Sequence, residues 1–144
     1  MMNLAAHNIK PVATGLVLAL VTLGFASLLP AAMAFDFFTV LLAIIAAIYV
    51  GFAIADGRST IKWAEISTAV LFIIMALLGL WVSPWILIAG YLAHGLWDWL
   101  HHARHIQTEV QAWYPPFCAV YDIVVGLGLL LLKPGMIADA MFGG

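Results

Sequence analysis

Five long apolar runs, separated by short polar or proline-containing breaks, constrain this chain more than any other feature. The runs lie near 11–33, 36–55, 62–83, 85–105 and 115–133. Each has the roughly 20 residues that a helix needs to cross a hydrocarbon layer of ~30 Å. The 144 residues are 66% hydrophobic and 8% charged, far more apolar than a soluble domain. We therefore predict an all-α, multi-pass membrane protein in which one domain, 1–144, is a bundle of five transmembrane helices.

The few basic residues predict the orientation of that bundle. If the N-terminus is cytoplasmic, Lys10, Arg58, Lys62 and Arg104 all lie on the inner side, and Lys133 lies outside. This distribution follows the positive-inside rule, so we predict an N-in, C-out topology, as in a bacterial inner membrane. The first run ends near the small residues "AAMA", as cleaved secretory signals do, but it is longer than the ~7–15 residues of a signal core.

The fourth run contains an unusual concentration of polar side chains, "HGLWDWLHHARH" at 94–105. At about 100° per residue, one face of a helix carries His94, Asp98, His101, His102 and His105. Ionisable side chains inside a membrane cost several kcal/mol unless they are compensated. We therefore expect this face to point into the interior of the bundle.

Two carboxylates on other helices are expected at matching depths. Glu65 lies near the start of the third run, level with His101 and His102, and Asp122 lies near the start of the fifth, level with Asp98. Imidazoles and carboxylates that converge in a dry space are typical ligands of zinc or iron. We predict a transition-metal site, Zn or Fe, whose ligands are His94, Asp98, His101, His102 and Asp122.

Three further residues complete the predicted site. Glu65 is the candidate general base for a metal-bound water. Cys118 lies one turn before Asp122, and we expect it, like His105, to lie next to the ligands rather than on the ion. Two other interpretations of the histidine face stay open. It can be a hydrogen-bonded or proton-conducting network, or a set of interfacial histidines that contact lipid phosphates.

The same segments carry a family resemblance. "GYLAHGLWDWLHH" followed by "PPFCAVYDIVVGLGLL" resembles a family of small bacterial integral membrane proteins that is catalogued as a domain of unknown function. The resemblance covers about residues 89–130, and "WAE" at 63–65 is similar to an upstream tryptophan and glutamate of that family. It implies a shared polar signature of His, Trp-Asp, His-His, Cys and Asp, and no known activity.

The sequence favours a metal-dependent membrane enzyme that acts on a lipid-like substrate reached from the cytoplasmic leaflet. It would be a zinc-dependent hydrolase or an iron-dependent oxidoreductase. The alternatives are a transition-metal carrier or sensor, and a non-catalytic structural subunit of a larger membrane complex. The expected partners are the lipid bilayer, the lipid-like substrate, and further copies of the chain or other subunits of a membrane complex. Nucleic acid is not expected, since the formal net charge is −2.

Overall fold

The computed structural model describes residues 4–132, with side chains from 9 to 131. This part of the chain forms five α-helices and contains no strand. The helices are α1 (Leu4–Ser27), α2 (Ala31–Asp56), α3 (Ser59–Trp81), α4 (Pro84–His102) and α5 (Tyr114–Leu132). The all-helical class predicted from the sequence is confirmed for these residues. Lys133, which supported the predicted orientation, lies outside them.

Prolines and one glycine set several helix ends. The first predicted helix, 11–33, ran through Pro30, whereas α1 ends at Ser27 and α2 begins directly after Pro30. Proline has no N–H to donate and disfavours a helical conformation in the residue before it, so the helix breaks there. Pro84 is the first residue of α4, where its missing N–H is not needed. Gly57, at φ 78°, ends α2 in the left-handed conformation.

The end of α4 also differs from the prediction, which extended this helix to 105. The helix ends at His102, and Arg104 adopts the left-handed conformation with φ 58°. The Arg104 N–H donates to the His101 carbonyl and the His105 N–H to the Leu100 carbonyl, each at 3.0 Å. These two bonds close the last turn as in a Schellman motif. His105 therefore lies beyond the helix, and helical periodicity does not apply to it.

The helices pack in an order that differs from their order along the chain. α5 packs against both α1 and α4, and α3 packs against both α4 and α2. A smaller contact between α1 and α2 closes the ring, and α2 also reaches α4. The buried residues of α4 include the polar side chains His94, Asp98 and His101. The helices that pack around α4 therefore position the site.

Four helices, α1, α2, α3 and α5, are long and apolar enough to cross a membrane. α4 is not among them, because Asp98 and three histidines lower its hydropathy. The face of α4 opposite these buried residues is apolar, since Leu96 is 55% and Trp99 52% exposed.

Candidate metal centre

The deepest polar group on α4 is His94, whose side chain is completely buried. Its Nδ1 lies 2.7 Å from Asp122 Oδ2 on α5 and 3.1 Å from Asp98 Oδ2, one turn further along α4. Both aspartates are also completely buried. Since a carboxylate only accepts hydrogen bonds, the Nδ1 proton of His94 is shared between the two carboxylates.

Cys118 completes this arrangement. Its Sγ lies 3.6 Å from Asp122 Oδ2, one helical turn away on α5. One ligand atom from each of His94, Asp98, Cys118 and Asp122 lies within 4.8 Å of those of the other three. We call these four residues the central cluster. No lysine or arginine of the described chain bonds to any of them.

Two tyrosines enclose the central cluster. Tyr49 of α2 is 1% exposed and donates a hydrogen bond to the second oxygen of Asp98, Oδ1. Tyr114 at the start of α5 has its hydroxyl 3.7 Å from Cys118 Sγ. The ring of Phe72 lies edge-on to the ring of His94, with the ring centres 4.8 Å apart. Two further helices, α2 and α3, thus contribute side chains to the walls of the site, and α5 adds Tyr114.

A close approach of α4 and α5 makes the contact between His94 and Asp122 possible. The contact is at Gly95, directly after His94. A Cβ at this position would lie 3.2 Å from the Ala119 carbonyl oxygen and 3.4 Å from Asp122 Cβ. The missing side chain therefore lets the two helix backbones approach each other beside the site.

A second buried pair lies one turn nearer the end of α4. His101 Nε2 is 2.8 Å from Glu65 Oε1 on α3, and His101 Nδ1 is 2.9 Å from the Trp97 carbonyl oxygen. A carbonyl accepts only, so Nδ1 carries a proton. The bond between His101 Nε2 and Glu65 then needs one more proton, which belongs either to the imidazole or to the carboxyl group. The Glu65–His101 pair can therefore give up or take a proton at one position.

The loop after α4 is held over this pair by three consecutive residues, 107–109. The Thr108 hydroxyl donates to Glu65 Oε1, and the Glu109 N–H donates to Asp56 Oδ2 at 2.8 Å. Arg58 donates to the Gln107 carbonyl at 2.6 Å and to both oxygens of Asp56. The hydrogen bonds to Asp56 hold the pKa of the Arg58 guanidinium above its ordinary value. The segment is thus tied to the end of α2, the α2–α3 turn and α3.

Four buried side-chain atoms have no hydrogen-bond partner among the described residues. They are Glu65 Oε2, His94 Nε2, Trp97 Nε1 and Asp122 Oδ1. All lie in or beside the two groups above, since the Trp97 ring packs on His101 with the ring centres 5.2 Å apart. Folded proteins pair the large majority of such atoms. Their concentration here is typical of a site that binds a ligand.

The structure separates the predicted site residues into three groups. His94, Asp98 and Asp122 come together with Cys118, whereas His101 instead pairs with Glu65. His102 and His105 are exposed. The expected inward direction of these last two is corrected: α4 ends at His102, and His105 packs its ring near Trp99 at 6.3 Å.

Sequence reasoning missed four residues that belong to the site or hold its loop in place. Tyr49 lies in an aliphatic stretch of α2, and Thr108 and Tyr114 lie in or after the loop, where no periodic pattern points to them. Asp56, at the end of α2, was also absent from the predicted site. It forms an ion pair with Arg58 at 2.6 Å, and its side chain is 0% exposed, because the 107–109 segment covers it.

A family model described as a family of unknown function, DUF6010, matches residues 6–134. This range extends well beyond the segment 89–130 on which the resemblance was noted. No curated protein and no solved structure matches the chain.

Proposed function

The chain belongs to DUF6010, a family of unknown function, and we propose its function from the buried site. It is an integral membrane protein with five membrane-spanning helices. It binds one divalent transition-metal ion at the central cluster and uses that ion in a reaction on a lipid-like substrate. The supporting observation is that two carboxylates, one imidazole and one thiol, each 0–2% exposed, converge within 4.8 Å.

The charge balance of the central cluster favours a cation. Asp98 and Asp122 face a single imidazole, so the cluster keeps a negative charge even when His94 is protonated. A buried charge without compensation costs several kcal/mol. A divalent ion in place of the shared proton removes this cost. His94 Nε2, which has no hydrogen-bond partner among the described residues, would then carry the imidazole proton.

The distances are those expected when the same ligands share a proton. Around a tetrahedral zinc ion, nitrogen and oxygen ligands lie about 3.3 Å apart, and sulfur and oxygen about 3.5 Å apart. The two separations from His94 Nδ1 are 2.7 and 3.1 Å, and the separation from Cys118 Sγ to Asp122 is 3.6 Å. The two nitrogen–oxygen separations are about 0.2–0.6 Å shorter than coordinating ones and the sulfur–oxygen separation is about 0.1 Å longer, so small side-chain movements would turn the hydrogen-bonded arrangement into a coordinating one.

Zinc fits this ligand set better than iron. Zinc accepts nitrogen, oxygen and sulfur ligands, whereas the common non-haem iron site uses two histidines and one carboxylate. The central cluster contains one histidine, and His101 is engaged by Glu65. His94, Asp98 and Asp122 supply three positions, the number found in catalytic zinc sites, with Cys118 beside them. A zinc ion held by these residues would lower the pKa of a bound water, as it does in catalytic zinc sites.

The Glu65–His101 pair supplies the acid–base chemistry in this proposal. Glu65 fixes the His101 ring, and His101 lines a cavity of about 1090 Å³ that lies under the 103–113 loop. A substrate that enters from the loop side meets His101 before it reaches the central cluster. In this proposal Glu65 positions His101 and shares with it the proton that the pair exchanges, and it does not act directly on a metal-bound water.

A transition-metal carrier or sensor is the second candidate. The complete burial of His94, Asp98 and Asp122 favours it, because a storage or transport site need not admit a substrate. The rate at which the bound metal exchanges with the solution distinguishes the two functions. A carrier releases its ion within the time of a transport cycle, whereas a catalytic site retains the ion during turnover.

Elemental analysis of the purified full-length protein tests the metal centre. We expect about one zinc per chain in the wild type, and we expect Asp122→Asn to lose about 90–99% of the affinity or more, since one ligand is removed. Asp36→Asn, an exposed aspartate of α2, is the matched control and keeps its metal. A chelator lowers the melting temperature of the wild type, because the ion binds only the folded state. Wild-type protein without metal, or Asp122→Asn with full metal content, contradicts the proposal.

A further inference from the structure

An apolar groove runs along the outside of the bundle between α1, α4 and α5. It has a volume of about 430 Å³, and its lining includes Val12, Leu92, Leu96, Trp99, Pro116 and Ile123. This volume lies within the ~300–1,000 Å³ of small-molecule sites. From Leu92 to His102, ten residues of α4 span about 15 Å. That length equals about half of a ~30 Å hydrocarbon core, which is the thickness of one leaflet.

One residue joins this groove to the polar cavity under the loop. His102 lines the groove and also lines the 1090 Å³ cavity, together with His101, Arg104 and Thr108. An occupant that follows the groove away from the membrane centre therefore reaches a polar space whose lining includes the cation Arg104 and the carboxylates Asp56 and Glu109. That space borders on the Glu65–His101 pair.

We propose that the groove and the cavity together bind one bilayer phospholipid with an anionic phosphate head. Its acyl chain lies along the groove, and its phosphate lies at His102 and Arg104. This inference rests on the proposed function, for which it names the substrate class and the direction of approach. The phosphate is then next to His101, and the ester bonds of the lipid are near the acid–base pair.

The charges at the loop end favour an anionic head. The Arg104 side chain makes no hydrogen bond or ion pair with a described residue. Lys10 is exposed on α1 and lies two residues, about 3 Å along the helix, beyond the groove residue Val12. Asp56, on the cavity wall, is neutralised by Arg58. Glu109 is the opposing charge on this wall, so its removal should strengthen the preference for an anion.

Lipid retention measured by native mass spectrometry tests the proposal. The full-length protein in detergent is mixed with dioleoyl phosphatidate, dioleoyl phosphatidylcholine or inorganic phosphate. The two lipids have the same chains and differ in head charge. We expect phosphatidate to bind at least about fivefold more tightly, which corresponds to one cationic contact. Inorganic phosphate, which has no chain, should not displace it.

Two exposed residues just beyond α4 give a matched pair of variants. Arg104→Gln should remove most of the preference for phosphatidate, because it removes the cation of the cavity wall, whereas His105→Gln should leave it unchanged, because His105 lines neither the groove nor the cavity. A second pair of variants tests the acyl-chain site. Leu96→Trp should fill the groove and weaken the binding of both lipids equally. Leu127→Trp, at an exposed position of α5 outside the groove, should weaken neither.

Three results would overturn the inference. They are equal retention of both lipids, equal effects of Arg104→Gln and His105→Gln, and full competition by inorganic phosphate. The Asp122→Asn variant distinguishes a failure of the lipid site from a failure of the metal centre. If that variant keeps the phosphatidate preference, the lipid site is independent of the ion. If the wild type contains no metal yet shows the preference, the metal function fails and the lipid site stands.

Discussion

At the scale of single residues, the ionisation of the central cluster depends on a hydroxyl group, that of Tyr49, which no sequence motif predicts. Asp98 uses one carboxylate oxygen for His94 and the other for the Tyr49 hydroxyl. A hydrogen bond to an ionised acceptor contributes about 1.5–3 kcal/mol, whereas a bond to a neutral carbonyl contributes about 0.5–1.5 kcal/mol. The contribution of Tyr49 therefore reports whether Asp98 is ionised in the folded protein.

Tyr49→Phe and Tyr91→Phe form a matched pair for this question. Both tyrosines are at most 1% exposed, but Tyr91 donates to the backbone oxygen of Phe38 at 2.8 Å. We expect Tyr49→Phe to destabilise the protein by about 1.5–3 kcal/mol and Tyr91→Phe by about 0.5–1.5 kcal/mol. Thermal unfolding in detergent measures both. A loss for Tyr91→Phe that equals or exceeds that for Tyr49→Phe would mean that Asp98 is not a buried anion.

Which residues could be found from sequence depended on whether they followed helical periodicity. His94, Asp98 and His101 repeat at spacings of four and three residues on one helix, and all three are buried. The pairing of His101 with Glu65, rather than with the central cluster, depends on the relative register of α3 and α4, which periodicity does not define. Thr108 belongs to a loop whose position is set by Asp56 and Arg58, so its role appeared only in the structure.

At the scale of elements, the approach of α4 to α5 decides whether two helices can share one site. The contact at Gly95 leaves no free space for a side chain, because a Cβ there would lie 3.0 Å from Ile123 Cγ1 as well as near the backbone of Ala119. Sequence composition identified the helices but not this contact. Their ends were misplaced wherever a proline or a left-handed residue interrupted an apolar run, as at Pro30 and Arg104.

Two glycine-to-alanine substitutions should have opposite effects on the stability of the protein. Gly95→Ala should destabilise the protein by about 1–3 kcal/mol, as overpacking does, and should lower the metal affinity because Asp122 moves away from His94. Gly51→Ala, in α2, meets nothing within 4 Å. It should stabilise the protein by about 0.5–1 kcal/mol through helix propensity. Melting temperature and zinc content measure the two effects. A stabilised Gly95→Ala protein with full metal content would contradict the packing.

At the scale of the whole molecule, α4 determines how many times the chain crosses the membrane. Hydropathy alone excludes this helix, yet its ionisable residues His94, Asp98 and His101 are covered by the neighbouring helices. The side that faces outward carries Leu96 and Trp99. Its 19 residues extend about 28 Å, close to the ~30 Å of a hydrocarbon core. These ionisable residues therefore do not face lipid. Their low hydropathy does not oppose the insertion of α4 into the membrane.

A crossing by α4 places its two ends on opposite sides of the membrane. Reporter domains fused after Ser83 and after Glu109 test this, because these positions precede and follow the helix. We expect the Ser83 fusion outside and the Glu109 fusion in the cytoplasm, on the side of Arg58, Lys62 and Arg104, as the positive-inside rule requires. A fusion after Lys10 is the control for the cytoplasmic side. Fusions at Ser83 and Glu109 on the same side would mean that α4 does not cross. Crossing with the reverse orientation would put the polar cavity, and with it the proposed lipid head site, at the outer leaflet.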